Sequence, residues 1–300
     1  MTARQSVAVI GMGGIGGIAA GCLQDAGRHD VVICSRRPMT ELTLDVPGRT
    51  VWLPLRAATD PAAVEPVDWV LLCTKAYDTA STAPWLARLC RPGTRIAVLQ
   101  NGIDQVSRVA PVAAGAGIVP TVVYYNGEKL APDHVRLRPA RDRDIAVAED
   151  ADGRAFATLL DGTLLRVSPQ ADFTTVQWRK LLLNAASNPI TALTRQRLAV
   201  LRRDDIHHLC RTVLDEAIAV ASAAGAEFAA GEAARIFDAL LAYGPEPGTS
   251  MYFDVLAGRR LEADMLTGAI VRAGRQYGIP TPVNGTLLAL LQSISDASSL

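Results

Sequence analysis

VAVIGMGGIGGIAAGCLQDAGRHDVVICSRR, residues 7–37, decides how the rest of the chain is read. The run Val7-Ala8-Val9-Ile10 has the length and apolar continuity of a strand buried on both faces. Gly11, Gly13 and Gly16 follow in the spacing G-x-G-x-x-G, with Met12, Gly14 and Ile15 between them. A helix of small residues (Gly17, Ala19, Ala20, Gly21) then runs toward Gly27, and Val31-Val32-Ile33-Cys34 closes a strand–turn–helix–strand unit. In such a unit Gly11 permits the tight turn, Gly13 admits a pyrophosphate against bare backbone, and Gly16 lets the helix approach the strand. The helix N-terminus directs its N–H groups and its dipole at the phosphates. Strand before and helix after are the context that turns a glycine spacing into a dinucleotide site.

The end of the second run refines the cofactor. An NAD site places Asp or Glu there to hold the ribose 2′-hydroxyl. This chain has Ser35-Arg36-Arg37. A planar guanidinium grips a phosphate bidentately, so the expectation is NADP(H), with Arg36 at the 2′-phosphate.

The 300 residues suggest about two domains. Apolar residues make up 49%, enough for sizeable cores. Lys plus Arg and Asp plus Glu each number 30, and this balance argues against a general nucleic-acid or anionic-membrane binder. Five cysteines (Cys22, Cys34, Cys73, Cys90, Cys210) without C-x-x-C spacing give neither a disulfide framework nor a zinc signature. The opening MTARQSVAVIG leads straight into the first strand, and no apolar stretch is long enough to span a bilayer. The expectation is a cytoplasmic protein without signal peptide, membrane span or metal.

Further along, the pattern predicts a short strand near 50–53, strands at 68–73, 94–99 and 118–123, and helices at 79–89 and 104–109. This alternation predicts a parallel sheet with helices on both faces. Residues 134–138 and 144–148 read as a hairpin, 151–160 as a helix and 164–167 as the last strand, with the run Arg141-Asp142-Arg143-Asp144 as a solvated turn. Segments 172–194, 204–224, 229–242, 250–257, 261–277 and 283–294 are Ala/Leu-rich and broken by Gly or Pro, which predicts helices only. The fold class expected is α/β: a Rossmann-type parallel-sheet domain over residues 1–169, then an all-helical domain over 170–300.

Two side chains fall at the cofactor edge by fold logic, because ligands of open α/β sheets bind beyond the carboxyl ends of the strands. They are Lys75, after the strand at 68–73, and Asn101, after that at 94–99. In the first helix of the second domain Lys180, Asn184 and Asn188 recur at every fourth position, one stripe on one face. Their neighbours are mostly apolar, and desolvation can bring a lysine toward neutrality, where it exchanges protons at working pH. Ser250 sits where it can cap the helix at 250–257 or meet an anion there. Glu262 and Asp264 open the following helix, and His207 and His208 lie in a charged, surface-like helix start.

These motifs together resemble the ketopantoate reductase family (2-dehydropantoate 2-reductases). The resemblance runs from Gly11 to about Pro282. It rests on the 11–16 turn, Thr74-Lys75-Ala76-Tyr77, Gln100-Asn101-Gly102, Trp178-Arg179-Lys180-Leu181 continuing to Asn184 and Asn188-Pro189-Ile190-Thr191-Ala192, Thr249-Ser250-Met251 with Asp254, and Glu262-Ala263-Asp264. It implies NADPH-dependent reduction of a 2-keto acid, 2-dehydropantoate, to the 2-hydroxy acid. It implies Lys180 as proton donor to the nascent alkoxide and Glu262 at the substrate hydroxyl or nicotinamide. Asn101, Asn184, Asn188 and Ser250 would hold substrate; the 11–16 turn, Arg36, Lys75 and Asn101 would hold cofactor. It further implies a site between a Rossmann domain and a helical domain that also carries a homodimer surface. Three places depart from the pattern. Leu198 stands where a further substrate asparagine is expected, Tyr124-Tyr125-Asn126 is bulkier than expected, and residues 136–143 lack the usual glycines. Two alternatives stay open: a paralogous NADP-dependent dehydrogenase of another 2-keto or 2-hydroxy acid, and a catalytically silent NADP(H)-binding sensor.

Overall fold

A computed structural model describes residues 3–297. The chain divides between Phe173 and Thr174 into two compact units.

The first unit begins with β1 (Ser6–Ile10), α1 (Gly14–Ala26) and β2 (Asp30–Cys34), followed by β3 (Glu41–Val46), β4 (Arg49–Pro54) and the short β5 (Ala57–Ala58). Next come β6 (Trp69–Leu72), α2 (Ala83–Leu89), β7 (Arg95–Val98), α3 (Gln105–Val109) and β8 (Gly117–Val123). The unit ends with β9 (Asn126–Ala131), β10 (His134–Arg138), β11 (Ile145–Ala148), α4 (Ala151–Leu160) and β12 (Val167–Gln170). Eight strands make one sheet in the order β12-β11-β8-β7-β6-β1-β2-β5, in which β11 runs antiparallel to β8 and the other pairs are parallel.

The central strands β1, β2, β6 and β7 are apolar at every position after the first because both faces are covered. Val7, Val9, Ile33, Trp69 and Leu71 pack into one core with α1 and α4, whereas Ala8, Ile10, Val32, Val70 and Leu72 pack into another with α2.

A second sheet, in the order β4-β3-β10-β9, covers the outer side of α1. Gly14, Gly17 and Gly21, spaced three and four apart, form the stripe of α1 on which it rests. A Cβ on Gly14 would lie 1.7 Å from the Gly127 carbonyl oxygen, on Gly17 2.6 Å from Val135, and on Gly21 3.1 Å from Leu44. This contact is the physical reason for the small-residue composition of the helix.

Three sequence expectations change here. Residues 134–138 and 144–148 do not pair as a hairpin: β10 pairs with β9 and β3, and β11 with β8 and β12. The last strand is Val167–Gln170 rather than 164–167, so Pro169 lies inside it. Asp144 is not in a solvated turn but fully buried, accepting from the backbone N–H of Ala140 (2.9 Å) and Arg166 (3.0 Å) and from the Arg166 guanidinium at 2.9 Å.

From the division onward the described residues contain helices and no strand: α5 (Phe173–Thr194), α6 (Asp204–Ala223), α7 (Glu232–Ala242), α8 (Ser250–Leu256), α9 (Thr267–Tyr277) and α10 (Pro282–Ala297). Buried Glu232 of α7 accepts from Arg179 of α5 at 2.6 Å and from Arg235 at 2.8 Å, tying the two helices. The Glu216 carboxylate of α6 accepts from the N–H groups of Val283 (2.9 Å) and Asn284 (3.0 Å), closing the first turn of α10. Among the described residues no helix is long and apolar enough to cross a membrane.

Candidate functional site

In the first unit, sheet register brings the segments that carry the predicted Gly11–Gly16 turn, Arg36, Lys75 and Asn101 to one edge. Cys34, Ile10, Leu72 and Val98 lie side by side across β2, β1, β6 and β7. Arg37, Gly13, Lys75 and Asn101 each follow that row by three residues, so all four leave the carboxyl ends of adjacent parallel strands.

The glycine turn is closed by sterics. Gly11 has φ +99°, and a Cβ there would stand 2.7 Å from the Thr74 nitrogen. A Cβ on Gly16 would stand 1.8 Å from the Gly11 carbonyl oxygen. Gly13, by contrast, would meet nothing within 4 Å and faces open space. It is the N-cap of α1, no side chain caps that end, and the first turn carries no acid. The N–H groups and positive dipole end thus remain available, and these residues fit a diphosphate. Arg36 and Arg37 are exposed beyond β2.

The neighbouring strand ends are held by a polar network. Gln100 donates from Nε2 to the Thr74 hydroxyl (3.0 Å) and accepts at Oε1 from Thr79 (3.1 Å). The Arg108 guanidinium donates to the Asn101 carbonyl at 3.1 Å, and Gly102 turns the chain with φ +102°. Lys75, half-buried, precedes a 3-10 helix at Ala76–Thr82, which replaces the start of the helix expected at 79–89.

Sequence reasoning missed the residues that wall the turn from its other side. The departing segment Tyr124-Tyr125-Asn126 leads from β8 into β9. Buried Tyr125 donates its hydroxyl to the Ile15 carbonyl at 2.8 Å. Gly127 abuts Gly14, and Lys129 donates to the Met12 carbonyl at 2.6 Å. The bulk of Tyr124 and Tyr125 was visible in the sequence, but nothing local named their partner.

In the second unit, α5 carries the predicted stripe. Lys180 and Asn184 are half-buried, and Asn188 is buried. Burial lowers the Lys180 ammonium to about 8. The Thr191 hydroxyl accompanies the stripe and meets the Thr249 hydroxyl at 2.7 Å. Thr249, not Ser250, caps α8, accepting from the Tyr252 N–H at 3.2 Å, so Ser250 is an exposed first-turn residue beside a cap that touches α5. Glu262 is buried, ahead of a 3-10 helix at Ala263–Met265 rather than in an α-helix. Leu198 is buried, and its N–H donates to the Pro247 carbonyl at 3.0 Å.

Among the described residues no group of three or more His, Cys, Asp or Glu side chains is placed to hold a metal ion. All five cysteines are free thiols, and burial pushes Cys22, Cys34 and Cys210 up to about 12, as unreactive core residues.

The family model described as ketopantoate reductase PanE/ApbA matches residues 7–149, and that of its C-terminal domain matches 172–295. A 2-dehydropantoate 2-reductase of Caulobacter vibrioides is 35% identical over 288 residues, covering 96% of this chain and 98% of the relative. The crystal structure of a PanE/ApbA family ketopantoate reductase from Ralstonia eutropha superposes with TM-score 0.89 at 30% identity, covering 98% of this chain and 100% of that one. A structure of dimeric ketopantoate reductase from Staphylococcus aureus gives TM-score 0.86 at 28% identity, covering 98% and 99%. With both halves matched by their own models and relatives aligned end to end, the chain belongs to the ketopantoate reductase family.

Proposed function

We propose that this chain is an oxidoreductase that reduces 2-dehydropantoate to the 2-hydroxy acid pantoate at the expense of NADPH. The observation that carries the reading is Lys180: a half-buried lysine, lowered to about 8, in register with two asparagines on a family-matched helix. The nicotinamide, when bound, supplies the hydride. The residues of the chain do the rest. The N–H groups at the start of α1, with Gly11, Met12, Gly13, Gly14, Ile15 and Gly16 as bare backbone, hold the diphosphate. Arg36 holds the 2′-phosphate, and Lys75 and Asn101 line the cofactor edge. Asn184, Asn188 and Ser250 orient the keto acid through uncharged hydrogen bonds, and Asn101 and Glu262 are assigned to substrate and nicotinamide. Lys180, as ammonium, stabilises charge on the keto oxygen and then gives it a proton.

In this reading residues 1–169 are the NADP-binding domain and 170–300 the substrate and dimerisation domain of a cytoplasmic homodimer. A second reading, reduction of a different 2-keto acid, is favoured by buried Leu198 where the resemblance expects a substrate asparagine.

The test is turnover of 2-dehydropantoate with NADPH and with NADH, in the intact protein and in Arg36→Ala. The intact protein should prefer NADPH, and Arg36→Ala should lose about tenfold to a hundredfold of that preference, the size of a charge-assisted contact. Turnover of another 2-keto acid but not 2-dehydropantoate would establish the second reading; NADPH binding with no keto acid turned over would establish a silent sensor.

A further inference from the structure

The wall that β9 builds against the glycine turn ends in a cation. Lys129 places its ammonium 2.6 Å from the Met12 carbonyl, between the first two glycines. An ammonium has three donors, and Met12 takes one. Burial lowers this ammonium, the charge of Arg37, three residues past β2, adds to that, and Asp133 acts the opposite way. The neighbouring Glu128 is engaged elsewhere, by Arg138 at 3.0 Å and Arg136 at 3.9 Å. Lys129, bonded to the turn after β1, and Arg37, on the segment after the adjacent strand β2, therefore bring two like charges to neighbouring strand ends. In the reading above the N–H groups at the start of α1 serve the diphosphate, and in such a fold the segment after β2, here Arg36 and Arg37, sets ribose recognition. A phosphate monoester near neutral pH carries close to two charges and offers three acceptor oxygens. It would relieve the repulsion and use the remaining donors.

We propose that Lys129 is a specificity-determining residue that joins Arg36 and its neighbour Arg37 in recognising the 2′-phosphate of NADP(H). This rests on the NADP(H) reading above.

The experiment is a set of equilibrium titrations on the full chain, followed by intrinsic fluorescence, with NADPH, NADH and the fragments 2′,5′-ADP and 5′-AMP. Lys129→Met keeps the aliphatic stem and removes the charge; Lys129→Arg restores a cation. Lys129→Met should weaken NADPH and 2′,5′-ADP about tenfold or more while NADH and 5′-AMP change by less than about twofold, and Lys129→Arg should recover most of the loss. Equal losses for both nucleotides would mean that Lys129 only supports the turn, and no loss that it touches neither; either overturns the inference. An intact protein that binds NADH as tightly as NADPH overturns the NADP(H) reading and this inference with it. A preference that survives Lys129→Met overturns this inference alone.

Discussion

The glycine turn and the lysine helix do opposite things with their side chains. The turn removes them: three of its contacts, Gly11 on Thr74, Gly16 on Gly11 and Gly14 on Gly127, leave less room than any Cβ requires. What it offers a ligand is backbone. Helix α5 keeps its side chains and grades their burial, from half-buried Lys180 and Asn184 to buried Asn188. What it offers is a titratable group drawn down to about 8 by loss of water. The difference teaches that one region is governed by repulsion between atoms and the other by solvation of charge. Substitutions should therefore fail in different ways in the two places: by displacement in the turn, by lost chemistry in the helix.

The largest expected effect is chemical. Lys180→Ala should lower kcat by about 10²–10⁴, the worth of a positioned general acid, and leave NADPH affinity near that of the intact protein. The lysine is charged below about 8, so reductive turnover should be sustained below that pH and fall as pH rises through it. The oxidative direction needs the neutral amine and should rise through the same range. Lys180→Ala should lose this inflection in both directions. A variant that retains more than about a tenth of kcat, or the inflection, would remove the lysine from the chemistry and make the stripe a structural face.

The next effect is steric. Gly16→Ala puts a methyl 1.8 Å from the Gly11 carbonyl oxygen and 2.8 Å from the Cys73 side chain. Both obstacles are buried or backbone, so the strand, the turn or α1 must shift. Overpacking of this kind costs about 1–3 kcal/mol, read in a denaturant midpoint, and nucleotide affinity should fall with it. The contrast with Lys180→Ala, which spares nucleotide binding, is what makes the pair informative. Unchanged stability and affinity in Gly16→Ala would show that the turn is not closed as described.

Legibility in the sequence followed the same divide between local and distant causes. The central strands announce themselves because burial on both faces leaves unbroken runs of apolar residues, as in Val7-Ala8-Val9-Ile10. The stripe on α5 was legible because helical spacing is local. The second sheet was not. β3 alternates exposed or half-buried residues with buried ones, a one-sided pattern that a polar stretch conceals, and β9 reads NGEKLA, a poor strand by composition. β9 is a strand because Gly127 must lie on Gly14, 113 positions earlier in the chain. Without it, β10 was paired with the wrong neighbour. Asp144 looked solvated within Arg-Asp-Arg-Asp and is buried because Arg166, 22 residues on, returns to it. Lys129 was passed over for the same reason: its partner Met12 is 117 residues away. At α8 the cap is Thr249 rather than its neighbour Ser250, a choice between adjacent hydroxyls that only the backbone geometry decides.

The smallest expected effect separates support of the turn from recognition by it. Tyr125 is buried, and its hydroxyl donates to the Ile15 carbonyl at 2.8 Å, in the first turn of α1. Its ring packs in the core shared by β1, α1 and the second sheet. Tyr125→Phe keeps the ring and removes one hydrogen bond without introducing a new polar group. The Ile15 carbonyl is a helix acceptor, so losing an extra donor leaves it served by the backbone. The cost should be about 1 kcal/mol of stability, at the ordinary net value of such a bond. Affinity for NADPH and NADH should change equally, and by less than about threefold, because the bond holds α1 and not the nucleotide. If Tyr125→Phe instead loses NADPH binding selectively, the tyrosine and Lys129 act as one recognition surface. The boundary drawn here, between a wall that shapes the turn and a cation that reads the phosphate, would then have to move to the start of β9.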